Sequence, residues 1–192
     1  MVSLYPIRKI EYSGDYTAKI SLLSLFSMSC SNKVYTIGVF GPKGVGKTSW
    51  VQAICNSPSR DVRVKCTTNN HRTVLAFDIY DENYDRTKFN CILLMFDVTD
   101  PGTFECSKGI LEDLKNTGTT SPIILVGNKV EARGRKVLPK EIYAFIKEQP
   151  KNITYMDIST KSGYHLDRPL QHLGRIVTGN CNLRIRETTL RE

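Results

Sequence analysis

The sequence predicts an α/β fold: three layers, with a mostly parallel sheet and one antiparallel edge hairpin. Three observations lead there. From Val34 onward, apolar runs of strand length alternate with segments of helical period. Cys91 to Val98 (CILLMFDV) is apolar almost throughout, the pattern of a strand covered on both faces. Two β-rich runs flank Asn69-Asn70, residues that tolerate left-handed backbone, which reads as a hairpin. At 192 residues the chain is long enough for one well-buried core.

The elements follow in order. Val34 to Phe40 is a buried strand. Thr48 to Asn56 carries Trp50, Val51 and Ile54 at helical spacing. Val62 to Thr67 and Thr73 to Tyr80 form the hairpin, and Cys91 to Val98 is a central strand. Asp100-Pro101 opens a helix running to about Asn116. Pro122 to Val126 is a buried strand ending in Gly127-Asn128-Lys129. A helix from Pro139 to Gln149 turns Ile142, Phe145 and Ile146 inward. Ile153 to Met156 is the last strand. Leu166 to Thr178 is the last helix, with Leu170, Leu173, Ile176 and Val177 inward. Residues 1–33 have no decisive period and read as an N-terminal extension; 34–183 form the domain; 184–192 are a short basic tail.

Gly41-Pro42-Lys43-Gly44-Val45-Gly46-Lys47-Thr48 fits G-x-x-x-x-G-K-[ST] between the first strand and the first helix. Its glycines let successive backbone N–H groups converge on a phosphate, and the helix N-terminus adds its positive end. Lys47 reaches the outer phosphates and the Thr48 hydroxyl ligates Mg²⁺. The phosphate-binding candidates are therefore Gly41, Lys43, Gly44, Val45, Gly46, Lys47, Thr48 and Ser49.

Composition narrows the class. With 40% hydrophobic and 24% charged residues, the chain has the balance of a soluble folded protein rather than a disordered one. Six scattered cysteines lack any C-x-x-C pair, which argues against a zinc ribbon or disulfide framework. Reduced thiols point to a cytoplasmic or nuclear setting. The net charge of +8 gathers around Arg60–Arg72, Arg133–Lys140 and Arg184–Arg191. Without interleaved aromatics this favours a solvated surface or an acidic protein partner over nucleic acid. No stretch is long enough for a membrane span, and neither a signal peptide nor a prenyl motif is expected. A monomer is expected.

The motifs then accumulate into a resemblance. Gly127-Asn128-Lys129-Val130-Glu131 resembles the guanine-reading N-K-x-D loop of Ras-superfamily small GTPases, and Ser159-Thr160-Lys161 resembles their S-A-K loop. Met95 to Thr99, Arg135-Lys136-Val137, Asp157 to Ser162 and Pro169 to Leu183 are similar to segments of the Ran branch, the nuclear-transport GTPases. The resemblance covers Val34 to Leu183 and implies the P-loop small-GTPase fold, bound GTP or GDP, and Mg²⁺. It implies guanine contacts from Asn128, Lys129, Glu131, Ser159, Thr160 and Lys161, a metal contact from Thr48, and an outer one from Asp81. Guanine offers a ring N–H and an amino group that a carboxylate at Glu131 can accept; adenine does not. Asn128 braces the loop, the Lys129 stem covers the ring, and the Thr160 N–H meets the guanine carbonyl oxygen.

Departures from the family pattern decide the rest. Glu131 stands where the family has Asp, so its extra methylene must be absorbed. Only Ser57 to Asp61 separates the first helix from Val62, too short for the family's first switch loop. Thr67 and Thr68 are the nominees for its Mg²⁺-closing Thr, and both are expected at the far end of the hairpin. After Asp81 come Glu82, Asn83, Tyr84 and Asp85 where the family has Thr, Ala, Gly and Gln. Nine residues separate Asp81 from Cys91, so most of the switch helix is missing. Phosphoryl transfer relies on such positioning, so hydrolysis is expected to be slow or absent, and no catalytic residue is assigned. Lys43 replaces a small residue; it obstructs an arginine finger, lies on the phosphates, or points into solvent, the first being preferred. The acidic tail of Ran has no counterpart before Glu192.

Two functions from different classes follow. One is a Ran-like guanine-nucleotide-binding protein with little hydrolysis. The other is a pseudo-GTPase scaffold that engages Ran-type transport or regulatory factors without a nucleotide cycle. An ATP-binding P-loop protein is a weaker third, disfavoured by the Asn128–Glu131 and Ser159–Lys161 loops.

Overall fold

The computed structural model describes residues 33–55 and 89–179, together with the backbone of two further strands, Val62–Thr67 and Arg72–Ile79. The N-terminal extension, Ser57 to Asp61, Thr68, Asp81 with the Glu82–Asp85 segment, and the basic tail lie outside the described residues.

Six strands are described: β1 (Lys33–Phe40), β2 (Val62–Thr67), β3 (Arg72–Ile79), β4 (Cys91–Asp97), β5 (Ile123–Asn128) and β6 (Ile153–Asp157). They form one sheet in the order β2-β3-β1-β4-β5-β6. Only the β2–β3 pair is antiparallel; β3–β1, β1–β4, β4–β5 and β5–β6 are parallel. Four helices are described: α1 (Lys47–Cys55), α2 (Pro101–Asn116), α3 (Pro139–Lys147) and α4 (Arg168–Thr178). The three-layer α/β architecture with its antiparallel edge hairpin is the one expected.

Strand alternation sorts the core into two faces. Cys91, Leu93 and Met95 of β4 point to one side, with Trp50 and Val51 of α1 and Leu170 and Leu173 of α4. Ile92, Leu94 and Phe96 point to the other, with Phe104, Ile110 and Leu111 of α2 and Ile142 of α3. A period of two in a strand buried throughout requires this division. Cys91 belongs to the first face as a small hydrophobe; burial pushes its thiol up to about 12, so it stays protonated.

Element ends have local causes. The Asp100 side chain accepts from the Gly102 N–H at 2.9 Å and Pro101 takes the first turn of α2. Helix α3 stops at Lys147, shorter than the expected Gln149, three residues ahead of Pro150. Helix α4 starts at Arg168 rather than Leu166, because the Leu166 carbonyl accepts the indole N–H of Trp50 at 3.0 Å. That bond ties the chain ahead of α4 to α1. Ile176 is 37% exposed, against expectation, while Gly174 is buried: the buried stripe runs along the Gly174 side of Leu170 and Leu173.

Register also places the hairpin. Thr67 pairs with Arg72, and Thr73 sits opposite Lys33, the first residue of β1. Thr67 therefore lies a strand length, roughly 20 Å, from the carboxyl end of β1. It stands at the far end of the hairpin, as expected.

His172 of α4 stands with Nε2 3.5 Å from the Thr154 hydroxyl of β6. Burial first, and the Arg175 charge second, hold its imidazole below the ordinary value. The unfolded chain, with an ordinary value of about 6.5, then takes up the proton first as pH falls. Stability is accordingly full above that value, declines as pH drops towards the folded value, and declines no further below it. His172→Gln is expected to flatten this part of the profile, read as the urea midpoint at a series of pH values.

Candidate functional site

The carboxyl ends of β1, β4 and β5 and the chain after β6 bring four loops to one edge of the sheet. In open α/β sheets that edge is where ligands bind. The first loop joins β1 to α1. Gly41, Gly44 and Gly46 all adopt positive φ, at 140°, 85° and 101°. At Gly41 a Cβ would come 2.2 Å from the Met95 carbonyl oxygen, so the loop crosses β4 too closely for any side chain. Val45 is fully buried beneath the loop. Lys47 is buried at the first position of α1, and its ammonium donates to the Gly41 and Pro42 carbonyl oxygens at 2.7 and 2.8 Å. Lys43 and Ser49 are exposed and Thr48 is half-buried.

The second loop follows β5. Asn128 is 2% exposed and uses its whole amide. Its Nδ2 donates to the Val45 carbonyl oxygen at 2.8 Å. Its Oδ1 accepts from the Thr160 backbone N–H at 3.0 Å and the Thr160 hydroxyl at 3.1 Å. One side chain thus joins the phosphate loop to the loop after β6. The Thr160 N–H predicted to meet guanine is given to Asn128, so a base contact there shares that donor. A Cβ at Gly46 would lie 2.4 Å from Asn128 Nδ2, so glycine at this position is a condition of the bridge.

Backbone bonds join these loops further. The Ile158 N–H donates to the Gly127 carbonyl at 2.8 Å, and the Val98 N–H to the Asn128 carbonyl at 3.1 Å. Ser159 is fully buried: its Oγ accepts from the Ser162 N–H at 2.8 Å, and its own N–H donates to the Tyr164 carbonyl at 2.9 Å. Lys161 is exposed.

Lys129 adopts φ 68°, and its ammonium pairs with Asp97 at 2.6 Å. The other Asp97 oxygen accepts from the Thr99 N–H and hydroxyl at 2.9 and 2.7 Å. Burial pushes this carboxyl up, but hydrogen bonds from Lys129 and Thr99 and the ammonium charge outweigh it and hold it below the usual range. Glu131 is exposed and, with Val130, Arg135, Asp157, Ser162 and Tyr164, lines an open cleft of about 400 Å³.

The chain beyond Glu131 is held at several points. The Lys136 and Val137 N–H groups donate to the Val98 carbonyl at 2.9 Å each. The Arg135 guanidinium donates to the Asp157 carboxylate at 2.8 and 3.2 Å, to the Tyr155 hydroxyl at 3.0 Å and to the Val137 carbonyl at 2.7 Å. Burial lowers the Arg135 value, but its partners raise it further, so it stays charged. Tyr155 in turn donates a short hydrogen bond to Asp157, and burial first, then that carboxylate, push the phenol up. Gly127 admits this packing: a Cβ there would meet the Tyr155 hydroxyl at 2.6 Å and Val98 Cγ1 at 2.8 Å.

Of the predicted site residues, the structure brings the phosphate loop, Asn128, Ser159 and Thr160 into one connected network. Glu131 and Lys161 stand exposed beside it, and Asp81 lies outside the described residues. Sequence reading assigned no site role to Asp97, Thr99 or Tyr155, and counted Arg135 in a basic cluster and in a Ran-like segment without giving it a site role. A carboxylate ending the central strand β4 was the available signal for Asp97.

A nucleoside phosphate fits these residues. The glycine backbone is open toward solvent at Gly44, where an added Cβ meets nothing within 4 Å. No group of three or more His, Cys, Asp or Glu side chains among the described residues could hold a metal alone. A Mg²⁺ here would lean on Thr48 and the phosphates, where it supplies positive charge. A family model described as the Ras family matches residues 36–178, about three-quarters of the chain.

Asn128→Ala is expected to destabilise the protein without any ligand. It removes the acceptor of the Thr160 N–H and leaves the Val45 carbonyl without its partner. A loss of about 1–3 kcal/mol is expected, read as a lowered urea midpoint in nucleotide-free buffer.

Proposed function

Because this chain belongs to the Ras family of GTP-binding small GTPases, we propose that it is a Ran-like guanine-nucleotide-binding protein with slow or absent GTP hydrolysis. The observation that carries the reading is the Asn128 bridge, which joins the phosphate loop to the Thr160 loop where a base and its phosphates would lie side by side. Members of this family bind GTP or GDP with Mg²⁺. In this chain, Gly41, Lys43, Gly44, Val45, Gly46, Lys47, Thr48 and Ser49 take the phosphates. Lys47 moves charge from the loop carbonyls to the phosphates without leaving its buried position. Asn128, Lys129, Glu131, Ser159, Thr160 and Lys161 read the base.

Recognition of guanine rests on Glu131. An unpaired carboxylate facing adenine loses the two donors that guanine provides, which disfavours the wrong base strongly. Slow hydrolysis rests on sequence: Glu82 to Asp85 lack the glycine that meets the γ-phosphate and the glutamine that orients water. Asp81 is assigned to the Mg²⁺ surroundings on the same basis. The partners are taken to be protein factors of the Ran-type transport or regulatory kind, met as a monomer in the cytoplasm or nucleus. No described helix is long and apolar enough to cross a membrane.

A specific observation favours the second reading, a scaffold without a nucleotide cycle. Hydrogen bonds from Lys47, Asn128 and Thr160 cross-link the phosphate loop within itself and to the Thr160 loop. A fold cross-linked in this way can present a partner surface in any nucleotide state, and a ligand shifts only states it binds differently.

Thermal unfolding with Mg²⁺ and, separately, GDP, GTP and ATP separates the readings. Ligand at about a hundred times its dissociation constant adds roughly 2.7 kcal/mol, several degrees for a domain of this size. A shift with GDP and GTP alone, lost in Lys47→Ala against that variant's own midpoint, is the expected result. No shift with any nucleotide leaves the scaffold reading. Single-turnover hydrolysis on the scale of an activated relative would remove the slow-hydrolysis part.

A further inference from the structure

The base pocket has a wall whose position is set from outside the recognised motifs. Lys129 follows β5 with φ 68°, a left-handed conformation that a non-glycine residue keeps only when its surroundings hold it. Its side chain is 38% exposed, so part of the stem is open to solvent. The head is fixed: the ammonium stands 2.6 Å from Asp97 Oδ2. Asp97 is fixed in turn. It ends β4 opposite Asn128 in parallel register, its side chain is 9% exposed, and its Oδ1 takes two hydrogen bonds from Thr99. The second oxygen is thereby aimed at the lysine.

We propose that Asp97 is a positioning residue for base recognition: its carboxylate anchors the Lys129 ammonium and so fixes the lysine stem as one wall of the pocket. The proposal rests on the guanine-binding reading above and adds a residue outside its recognition loops. A lysine stem held at its backbone and its head lies along one line, ready to cover an apolar ring face. Without the anchor, the stem must be ordered each time a base binds, and that cost appears in affinity, mostly as faster release. The charge balance acts in the same direction. An ammonium neutralised by Asp97 stays at the base side of the site rather than turning to the phosphates, which Lys47 already serves.

The test is a double-mutant cycle on the full chain, with Mg²⁺ and a fluorescent N-methylanthraniloyl-GDP as the probe. Four proteins are compared: the unaltered chain, Asp97→Asn, Lys129→Met and the double variant. Asn keeps an oxygen for the Thr99 bonds but turns an amide donor toward the ammonium; Met keeps most of the stem and removes the head. Release from Asp97→Asn is expected to be about tenfold faster, the scale of one side chain that must be ordered on binding. In the Lys129→Met background the same change is expected to have no further effect, since Asp97 acts only through the ammonium. A purely structural role would give the same acceleration in both backgrounds and would overturn the proposal, as would unaltered release from Asp97→Asn. If that variant fails to fold, Lys129→Met alone decides: it must also release the probe about tenfold faster, and unchanged release overturns the proposal. No probe binding by the unaltered chain, with the fold intact by circular dichroism, would instead overturn the guanine reading beneath it.

Discussion

The functional edge of this protein depends on the satisfaction of one buried amide. Asn128 sits at the carboxyl end of β5 with almost no exposure, and a group in that position must find partners or cost the fold. It finds them in two loops distant in sequence: the Val45 carbonyl before α1 and Thr160 after β6. The same bonds that satisfy the amide hold the two loops in register. Loop geometry and stability are therefore one requirement here, and neither loop can shift without leaving a buried polar group unpaired.

Close approach is the second constraint, and glycine is its instrument. The phosphate loop passes over β4 at Gly41 with no room for a Cβ against Met95, and Gly46 leaves room for the Asn128 amide. Gly127 does the same for Tyr155 and Val98 on the far side of β5. Electrostatic pairing then fixes what packing leaves loose. Arg135 ties the chain after Glu131 to Asp157 of β6, and Asp97 holds Lys129. These pairs are partly buried and carry additional hydrogen bonds, so their geometry is defined more sharply than that of the exposed Lys108–Glu105 and Lys115–Glu112 pairs on α2.

Glu131 is less constrained. It stands exposed at the rim of a cleft whose polar groups are mostly committed elsewhere: Arg135 to Asp157, and the Ser162 N–H to Ser159. Its side chain therefore has room to move, in contrast to Asn128, which has none.

Local patterning carried most of the architecture. The alternation of strand and helix segments, the continuous apolar run of β4, the Asn-flanking strand pair and the glycine loop ahead of α1 are properties of neighbouring residues, and the elements formed at these patterns, with α3 ending early and α4 starting late. The phosphate loop and the Asn128 and Ser159–Thr160 loops were legible for the same reason: each is a short motif at the end of a strand. Only the tertiary structure decided what those motifs do to one another. That the Thr160 N–H is spent on Asn128, that Lys129 answers to Asp97 thirty-two residues earlier, and that the Leu166 carbonyl is held by Trp50 rather than opening α4 are consequences of strand order and register. The parallel order β1-β4-β5-β6 brings these carboxyl ends together, and no period or spacing along the chain encodes which buried donor will find which acceptor across it.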